Sequence, residues 1–459
     1  MTNSAPQNKT PTEPAAPAEQ KELERTLGLL PALAIGTGTM VGAGIFVFPG
    51  LAAGRAGPAA MLSFAIGAVI ALLVALPTSE LATAMPESGG GYFFVSRALG
   101  TLLGCMVGIG QWLGLVFASA FYLMGFGHYL SDLLRELGID LPLSVMGLAL
   151  GMAILLTGVS ITGTENTGDL QNWIVGSLLV ILGGFLGHGG LDVLGVFGQQ
   201  RVPEAFFPYG TMPVFTTAAL VFTSYLGFVQ IATVAGEIKE PSRTLPRAMI
   251  GSVLLVGTLY VLTIFIGTSL LGSEQLSELG ETAVVNVGRS IAGTFGAAAL
   301  LGGGLLATLS SANASILSAS RSIYALSRDD LVPSQVEQIN RRFRTPHVAL
   351  LLAGGPIVVL ILFGRVEVLA EVASLLHLFM YGLICVALLV LRQSPPAGYQ
   401  PSFRCPGSPV VPLLGALTSF GLVAFMNPLS IGIGGGILIA TAGWYLCYAR
   451  TVPISEITP

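Results

Sequence analysis

Hydrophobic residues in this chain run in long unbroken stretches joined by short polar segments, with none of the period-two alternation of a half-buried sheet. A helix that crosses a bilayer needs about 20 consecutive apolar residues. Windows that meet this requirement, or come close to it, are 28–54, 59–85, 101–130, 143–163, 168–187, 213–237, 247–271, 284–326, 347–363, 366–391, 410–427 and 429–449. The pattern predicts an all-α polytopic membrane protein with about twelve transmembrane helices. The eighth window is too long for one simple crossing, since ~40 residues at 1.5 Å each reach ~60 Å. An oblique span that continues as an amphipathic piece near Ile323 to Leu331 is expected there.

Two windows are interrupted by residues that disfavour a helix. The first holds GTGTMVGAGIFVFPG from Gly36 to Gly50, with glycines crowded between Gly36 and Gly44. Each glycine costs a helix about 1 kcal/mol relative to alanine. Broken backbone at membrane depth is tolerated only where it is buried or lines a cavity. The sixth window holds Phe222-Thr-Ser-Tyr-Leu-Gly-Phe228, where polar side chains and Gly227 interrupt the apolar run. Five spans separate the starts of windows one and six, so the second unit enters from the opposite face. That spacing is the arithmetic of an inverted repeat with its substrate site between two discontinuous helices. An alternative for the glycines is close helix packing, a common use of small residues in membranes.

Composition agrees with the pattern. Of the 459 residues, 53% are hydrophobic and 10% are charged, against about 25% charged in soluble proteins; the mean hydropathy is +0.79. Residues 1–24 are rich in Pro, Ala, Thr and Glu and have no apolar h-region, so they read as a disordered cytoplasmic tail rather than a signal peptide. A ten-helix transport core is assigned to 25–395, and helices 11 and 12 with a short tail to 396–459. With the N-terminus inside, fifteen of the twenty Lys and Arg residues fall on the inner side. The excess of basic residues marks the cytoplasmic face, which places both termini in the cytoplasm and the chain in the cell membrane. The cysteines Cys105, Cys385, Cys405 and Cys447 form no C-x-x-C pair, and free thiols are expected. No resident cofactor, metal or nucleic-acid partner is implied.

Three stretches resemble the amino acid–polyamine–organocation (APC) superfamily of permeases. Residues 35–46, IGTGTMVGAGIF, are similar to the I-G-x-x-x-G-x-G-I-F pattern of helix 1. Residues 79–92, SELATAMPESGGGY, continuing to Arg97 and Gly100, resemble the E-L-x-x-x-x-P-x-S-G-G-x-Y signature after helix 2. Gly227-Phe228 with residues 237–247, EIKEPSRTLPR, is similar to the E-x-K-x-P-x-R-x-x-P motif after helix 6. Helices 1 to 10 fit in order and length, and helices 11 and 12 by count. The resemblance implies a five-plus-five inverted repeat, alternating access and an amino-acid-like substrate. It implies that Gly42, Ala43 and Gly44, with Ile45 next, donate to the substrate carboxylate. The Thr39 and Met40 carbonyls would accept from its ammonium, and the backbone of Phe222, Thr223, Ser224 and Tyr225 would face the same group. The physics agrees: a half-helix N-terminus attracts an anion and exposed carbonyls at a C-terminus attract a cation. A zwitterion offers both charges on one carbon.

The driving force is open between sodium coupling, exchange or proton coupling, and neither. Many relatives carry a lysine in helix 5 after a Q-N pair. Here Gln171-Asn172 are followed by Ser177 and Leu178 at that position, and the lysines of the chain are Lys9, Lys21 and Lys239. Thr308, Ser310 and Ser311 offer hydroxyls at mid-span of helix 8, where with the carbonyls of Gly38 or Val41 they could hold Na⁺. Sodium-coupled relatives use a similar hydroxyl pair, but Ser and Thr also serve as packing residues. His377 in helix 10 either titrates as a proton or side-chain contact or is a neutral, backbone-bonded histidine. His128, His188 and His347 fall near membrane edges. Glu80, at the inner end of helix 2, is expected to pair with Arg97 or Arg243 and close the inner gate. Trp112 and Tyr225 are candidate pocket aromatics. Absence of an acid or base in the pocket favours a small neutral amino acid. A cationic amino acid or amine exchanger of the same fold is the alternative; a channel-like nutrient sensor and a membrane-embedded enzyme are more remote, since clustered ionisable groups are lacking.

Overall fold

The computed structural model describes residues 27–85, 90–139, 144–162, 167–197, 200, 203, 205–340, 342–343, 345–396 and 399–449. The tail assigned to residues 1–24 and part of the helix 2 signature, residues 86–89, lie outside them. Among the described residues nine helical stretches are long and apolar enough to cross a membrane, and His347–Phe363 and Val410–Val423 are shorter apolar helices. Every predicted window coincides with helix, so this is a multi-pass, all-α membrane protein.

In chain order the helices are α1 (Leu29–Val41), α2 (Gly44–Ala56), α3 (Ala60–Ala84), α4 (Gly90–Leu99), α5 (Thr101–Glu136), α6 (Val145–Thr162), α7 (Thr167–Val193) and α8 (Met212–Val221). A 3-10 segment, Phe222–Val229, leads into α9 (Gln230–Thr233). There follow α10 (Pro241–Leu270), α11 (Ser273–Leu279), α12 (Ala283–Arg328), α13 (His347–Phe363), α14 (Val366–Gln393), α15 (Val410–Val423) and α16 (Pro428–Cys447). The first window thus holds two helices, α1 and α2, and the sixth holds α8, the 3-10 segment and α9.

The end of the molecule where α1 begins is here called the near face, and the opposite end the far face. At the near face Leu27 pairs with the chain after α9: its N–H donates to the Glu237 carbonyl at 2.9 Å and its carbonyl accepts from Lys239 N–H at 2.8 Å. This single bridge ties the entrance of the first interrupted span to the exit of the second. Glu80 at the end of α3 and Tyr92 of α4 make their bonds at the same face, to Arg392 and Asp329. Arg55 at the end of α2 meets Glu367 at the far face.

The eighth window behaves differently from the sequence expectation. Within α12, Ala292 (φ −131°) and Gly293 (φ 60°) leave the helical region. Gly293 takes the left-handed conformation that a side chain would oppose. The excess length is therefore taken up by a turn at the far-face start of the segment. A short helix precedes it, and one helix continues from there through Ser311 to Arg328 at the near face.

Candidate functional site

The centre of the molecule is built on the interruption between α1 and α2. Helix α1 ends at Val41, and Gly42 adopts φ 22°, ψ −147°. Its N–H reaches back to the Gly38 carbonyl at 3.4 Å, a long bond that marks the end of the ladder. The Ala43 carbonyl then accepts from Phe46 at 3.1 Å and Val47 at 2.8 Å, which starts α2. First-turn N–H groups of α2 have no intrahelical acceptor, and the last carbonyls of α1 have no intrahelical donor. Thr39, Met40, Val41, Gly42, Ala43, Gly44 and Ile45 are all buried. The predicted break of helix 1 is present where the glycines place it.

Helix 6 is interrupted in another way. Phe222–Val229 stays hydrogen-bonded but tightens to a 3-10 turn, and all eight residues are buried. Gly227 lets this segment lie against α1: a Cβ there would fall 2.7 Å from Thr39 Cβ and 2.9 Å from Met40 N. Most of its polar groups are committed. The Thr223 hydroxyl bonds to the Ala370 carbonyl at 2.5 Å and to Ser374 at 2.6 Å. Tyr225 donates to the Phe64 carbonyl at 2.9 Å, and the Leu226 carbonyl accepts from Tyr381 at 3.0 Å. Phe222 packs between the rings of Tyr225 and Tyr381. Of the four helix 6 residues singled out, only the Ser224 side chain meets the helix 1 break. A Cβ on Gly44 would lie 2.4 Å from Ser224 Oγ.

Two further walls close around the break. From α12, Ser311 Oγ would come within 2.6 Å of a Cβ on Gly42. From α10, the Tyr260 hydroxyl donates to the Met40 carbonyl at 3.0 Å and lies 3.4 Å from that of Val41. The Ser311 hydroxyl is buried and has no hydrogen-bond partner among the described residues, and the Ser224 hydroxyl lies beside that of Tyr260. An unpaired buried hydroxyl is costly, so Ser311 beside the main-chain groups of the break marks a place where a ligand would be stabilised. The hydroxyls proposed for a cation separate here. Thr308 Oγ1 donates back to the Gly304 carbonyl at 2.7 Å, and its methyl faces Gly125. Ser310 and Ser311 are both buried, and Ser311 is placed against Gly42, where the Thr39 carbonyl also lies close. At the helix 5 position Leu178 is buried and Ser177 faces outward.

A cavity of about 220 Å³ opens toward the near face below the break. Gln230, Gln111, Leu115 and Thr233 form its inner wall, and Arg321 and Arg328 its mouth. Thr39 Oγ1 donates to the Ile35 carbonyl and lies 3.3 Å from Gln230 Oε1, which links the cavity to α1 one turn before the break. The far side is shut. Phe48 stacks on Phe121 at 4.9 Å, Tyr129 donates to the Phe46 carbonyl at 2.9 Å, and Arg55 holds Glu367 at 2.8 Å and Glu371 at 3.5 Å. Arg289 pairs with Glu136, and His128 lies 3.8 Å from Glu281.

Glu80 has other partners than the expected Arg97 or Arg243. Its carboxylate accepts from Arg392 Nε at 2.9 Å and Nη2 at 2.5 Å, from Tyr399 Oη at 3.1 Å and from Cys405 N–H at 2.6 Å. The bidentate guanidinium is supplied by the end of α14, which packs against α3. Glu80 therefore clamps α3 to α14 and to the segment before α15. Burial, with the Glu80 charge as a second cause, pushes the Cys405 thiol up to about 11. His377 takes the backbone-bonded form: Nδ1 lies 2.8 Å from the Ala373 carbonyl, and the ring sits against Gly114, where a Cβ would come within 2.6 Å. Trp112 lies elsewhere, in a lateral groove with Ile323 and Trp444. Sequence reasoning missed Tyr260, Tyr381 and Glu371. The signal existed, since a tyrosine or glutamate inside an apolar run needs a partner.

Residues 27–447 match the family described as amino acid permease. Similar curated proteins include the branched-chain amino acid permease BcaP of Bacillus subtilis (strain 168), 30% identical with 91% of each chain covered. The serine/threonine exchanger SteT of the same organism is 26% identical, over 94% of this chain and 98% of its own. The vacuolar cationic amino acid transporter 8 of Arabidopsis thaliana is 28% identical, over 89% and 70%.

Proposed function

Because the chain belongs to the amino acid permease family, we propose that it is a secondary transporter that moves small neutral amino acids across the cell membrane by alternating access. One observation carries this reading: the buried helix 1 break at Gly42–Gly44, faced by Ser224 and by the unpaired hydroxyl of Ser311. Amides of Ala43, Gly44 and Ile45 take the carboxylate, and the carbonyl end of α1 takes the ammonium. The carboxylates buried among the described residues, Glu80 and Glu371, are bonded at the two faces. A cationic side chain would meet no partner at the break, which favours neutral substrates over amines and cationic amino acids. Transport needs no catalytic group.

The near face is the cytoplasmic one, because the basic residues gather there. Both termini are then inside, with twelve crossings and a five-plus-five repeat that relates the α1–α2 and α8–α9 spans. The conformation corresponds to the inward-facing half of the cycle: cavity toward the near face, ion pairs and aromatic stacks across the far face. For the coupling ion, Ser311 with the Gly38 carbonyl is the oxygen set that remains once Thr308 turns back to its own helix. Sodium coupling predicts that uptake responds to an imposed Na⁺ gradient and that Ser311→Ala weakens the response. Proton coupling or exchange predicts indifference to Na⁺.

The test is uptake into proteoliposomes with a panel of radiolabelled amino acids and amines, under imposed Na⁺ or pH gradients. Saturable uptake of neutral amino acids is expected, and a channel-like or sensing protein would show no saturation or no flux. Gly42→Leu should insert but not transport, because its side chain would fill the space beside Ser311; normal uptake by that variant removes the binding assignment.

A further inference from the structure

The acceptor that the helix 1 break offers to an ammonium already has a donor within the protein. Tyr260 is fully buried at the middle of α10. Its ring is stacked on Phe64 of α3 at 4.7 Å and 10° and lies 5.8 Å from Tyr225. The clamp fixes the hydroxyl, which donates to the Met40 carbonyl at 3.0 Å. A Cβ on Gly44 would lie 2.2 Å from that oxygen, so the hydroxyl reaches into a notch that only glycine leaves open. It also comes within reach of the Val41 carbonyl, 3.4 Å away. A hydroxyl that donates to the last carbonyls of a half-helix does, without the charge, what an ammonium does there.

We propose that the Tyr260 hydroxyl is a built-in stand-in for the substrate ammonium, and that substrate completes its binding by displacing it from the Met40 carbonyl. Tyr260 is then a positioning residue that sets apparent affinity and favours ligands carrying an ammonium. The inference rests on the proposed amino acid site at the break. It explains how buried carbonyls there are satisfied in the empty carrier, where leaving them bare would be costly. It also gives the empty carrier a closed centre, so that a ligand must compete for the site rather than fall into an open one. A ligand with no donor on its α-carbon cannot replace the bond that the Met40 carbonyl loses, and gains less from removal of the competitor.

The experiment measures equilibrium binding of radiolabelled neutral amino acids to purified protein, with the des-amino carboxylic acid of the best binder as the analogue that has no donor on its α-carbon. Tyr260→Phe should lower the apparent Kd for the amino acid by roughly three- to tenfold, the ratio that loss of one competing hydrogen bond of modest net strength produces. Affinity for the des-amino acid should improve by a smaller factor. Phe64→Leu keeps the hydroxyl but loosens its clamp, and should shift the amino acid Kd in the same direction by a smaller factor. An unchanged or weaker amino acid Kd in a folded Tyr260→Phe protein overturns the proposal; if that variant does not fold, an unchanged Kd in Phe64→Leu does so. Equal gains for both ligands also overturn it, since they would mean a general loosening. Failure of the wild-type protein to bind any amino acid would instead sink the function on which the inference rests.

Discussion

At the scale of single residues, the site depends on what is missing from Gly42 and Gly44. Gly42 needs its positive φ, a conformation that costs a side-chain-bearing residue about 1–2 kcal/mol, and any Cβ there meets Ser311 Oγ at 2.6 Å. Gly44→Ala adds one methyl where Tyr260 Oη and Ser224 Oγ converge. Tyr260 is held by a ring stack and cannot retreat easily. Gly44→Ala is therefore expected to insert normally and lose most uptake, at least about tenfold, since a displaced contact costing ~1.4 kcal/mol changes a rate or an equilibrium tenfold. Retained uptake at a normal KM would show that the notch is not used. Gly114 is different: it makes room for the His377 ring. Its alanine variant should lower thermal stability and leave substrate preference unchanged, as read by a melting curve and a competition panel.

At the scale of elements, the two interrupted spans obey different physics, and only one was legible from sequence. Gly42 and Gly44 announce an open break because glycine is the residue that tolerates the required backbone. The helix 6 stretch, rich in hydroxyls and aromatics, looked like a second break but formed a 3-10 turn. Its side chains found partners on neighbouring helices: Thr223 on α14, Tyr225 on α3, and the Leu226 carbonyl on Tyr381. Those partners lie about 150 residues away, so no local reading could reveal them. A separation of 312 residues hid Arg392 from Glu80. Removing one partner of a buried, hydrogen-bonded ion pair costs about 3–5 kcal/mol. Glu80→Ala should accordingly lower thermal stability substantially and free the segment around Tyr399 and Cys405. Cys405 reports this directly. With its pKa near 11 the thiol is protonated at pH 8, and it is buried, so maleimide should react with it slowly in the wild-type protein and faster in the variant. Raising the pH toward 11 should speed the wild-type reaction because the thiolate is the nucleophile. Equal rates in both proteins would contradict a clamp at this position.

At the scale of the whole molecule, the ion pairs are distributed so that one side is locked and the other stays accessible. Across the far face, Arg55 bridges the end of α2 to Glu367 and Glu371 of α14. Glu371 is 2% exposed and also accepts from Asn427 N–H at 3.0 Å and Ser430 Oγ at 2.7 Å, so α16 is tied to the same point. The half-helix that begins at Gly44 is thus anchored to the segments it must leave if the far side is to open. At the near face the cavity remains open between α5, α9 and α12. The contrast argues that the lock is a switchable element, with a free energy of a few kcal/mol deciding which side is accessible. Arg55→Gln removes the charge that spans α2 and α14 while keeping a side chain that can hydrogen-bond. It should shift the population toward a far-open state, with little effect on the near-face clamp at Glu80. The measurement is labelling of single cysteines placed at Val47 and Leu123, on the two helices that carry the Phe48–Phe121 stack, in sealed vesicles of known orientation. Faster labelling in the Arg55→Gln background, reversed by a saturating neutral amino acid if that ligand favours closure, is the expected result. Unchanged labelling would mean that the aromatic stack of Phe48 on Phe121 alone holds the far side shut, and that the ion pairs are structural.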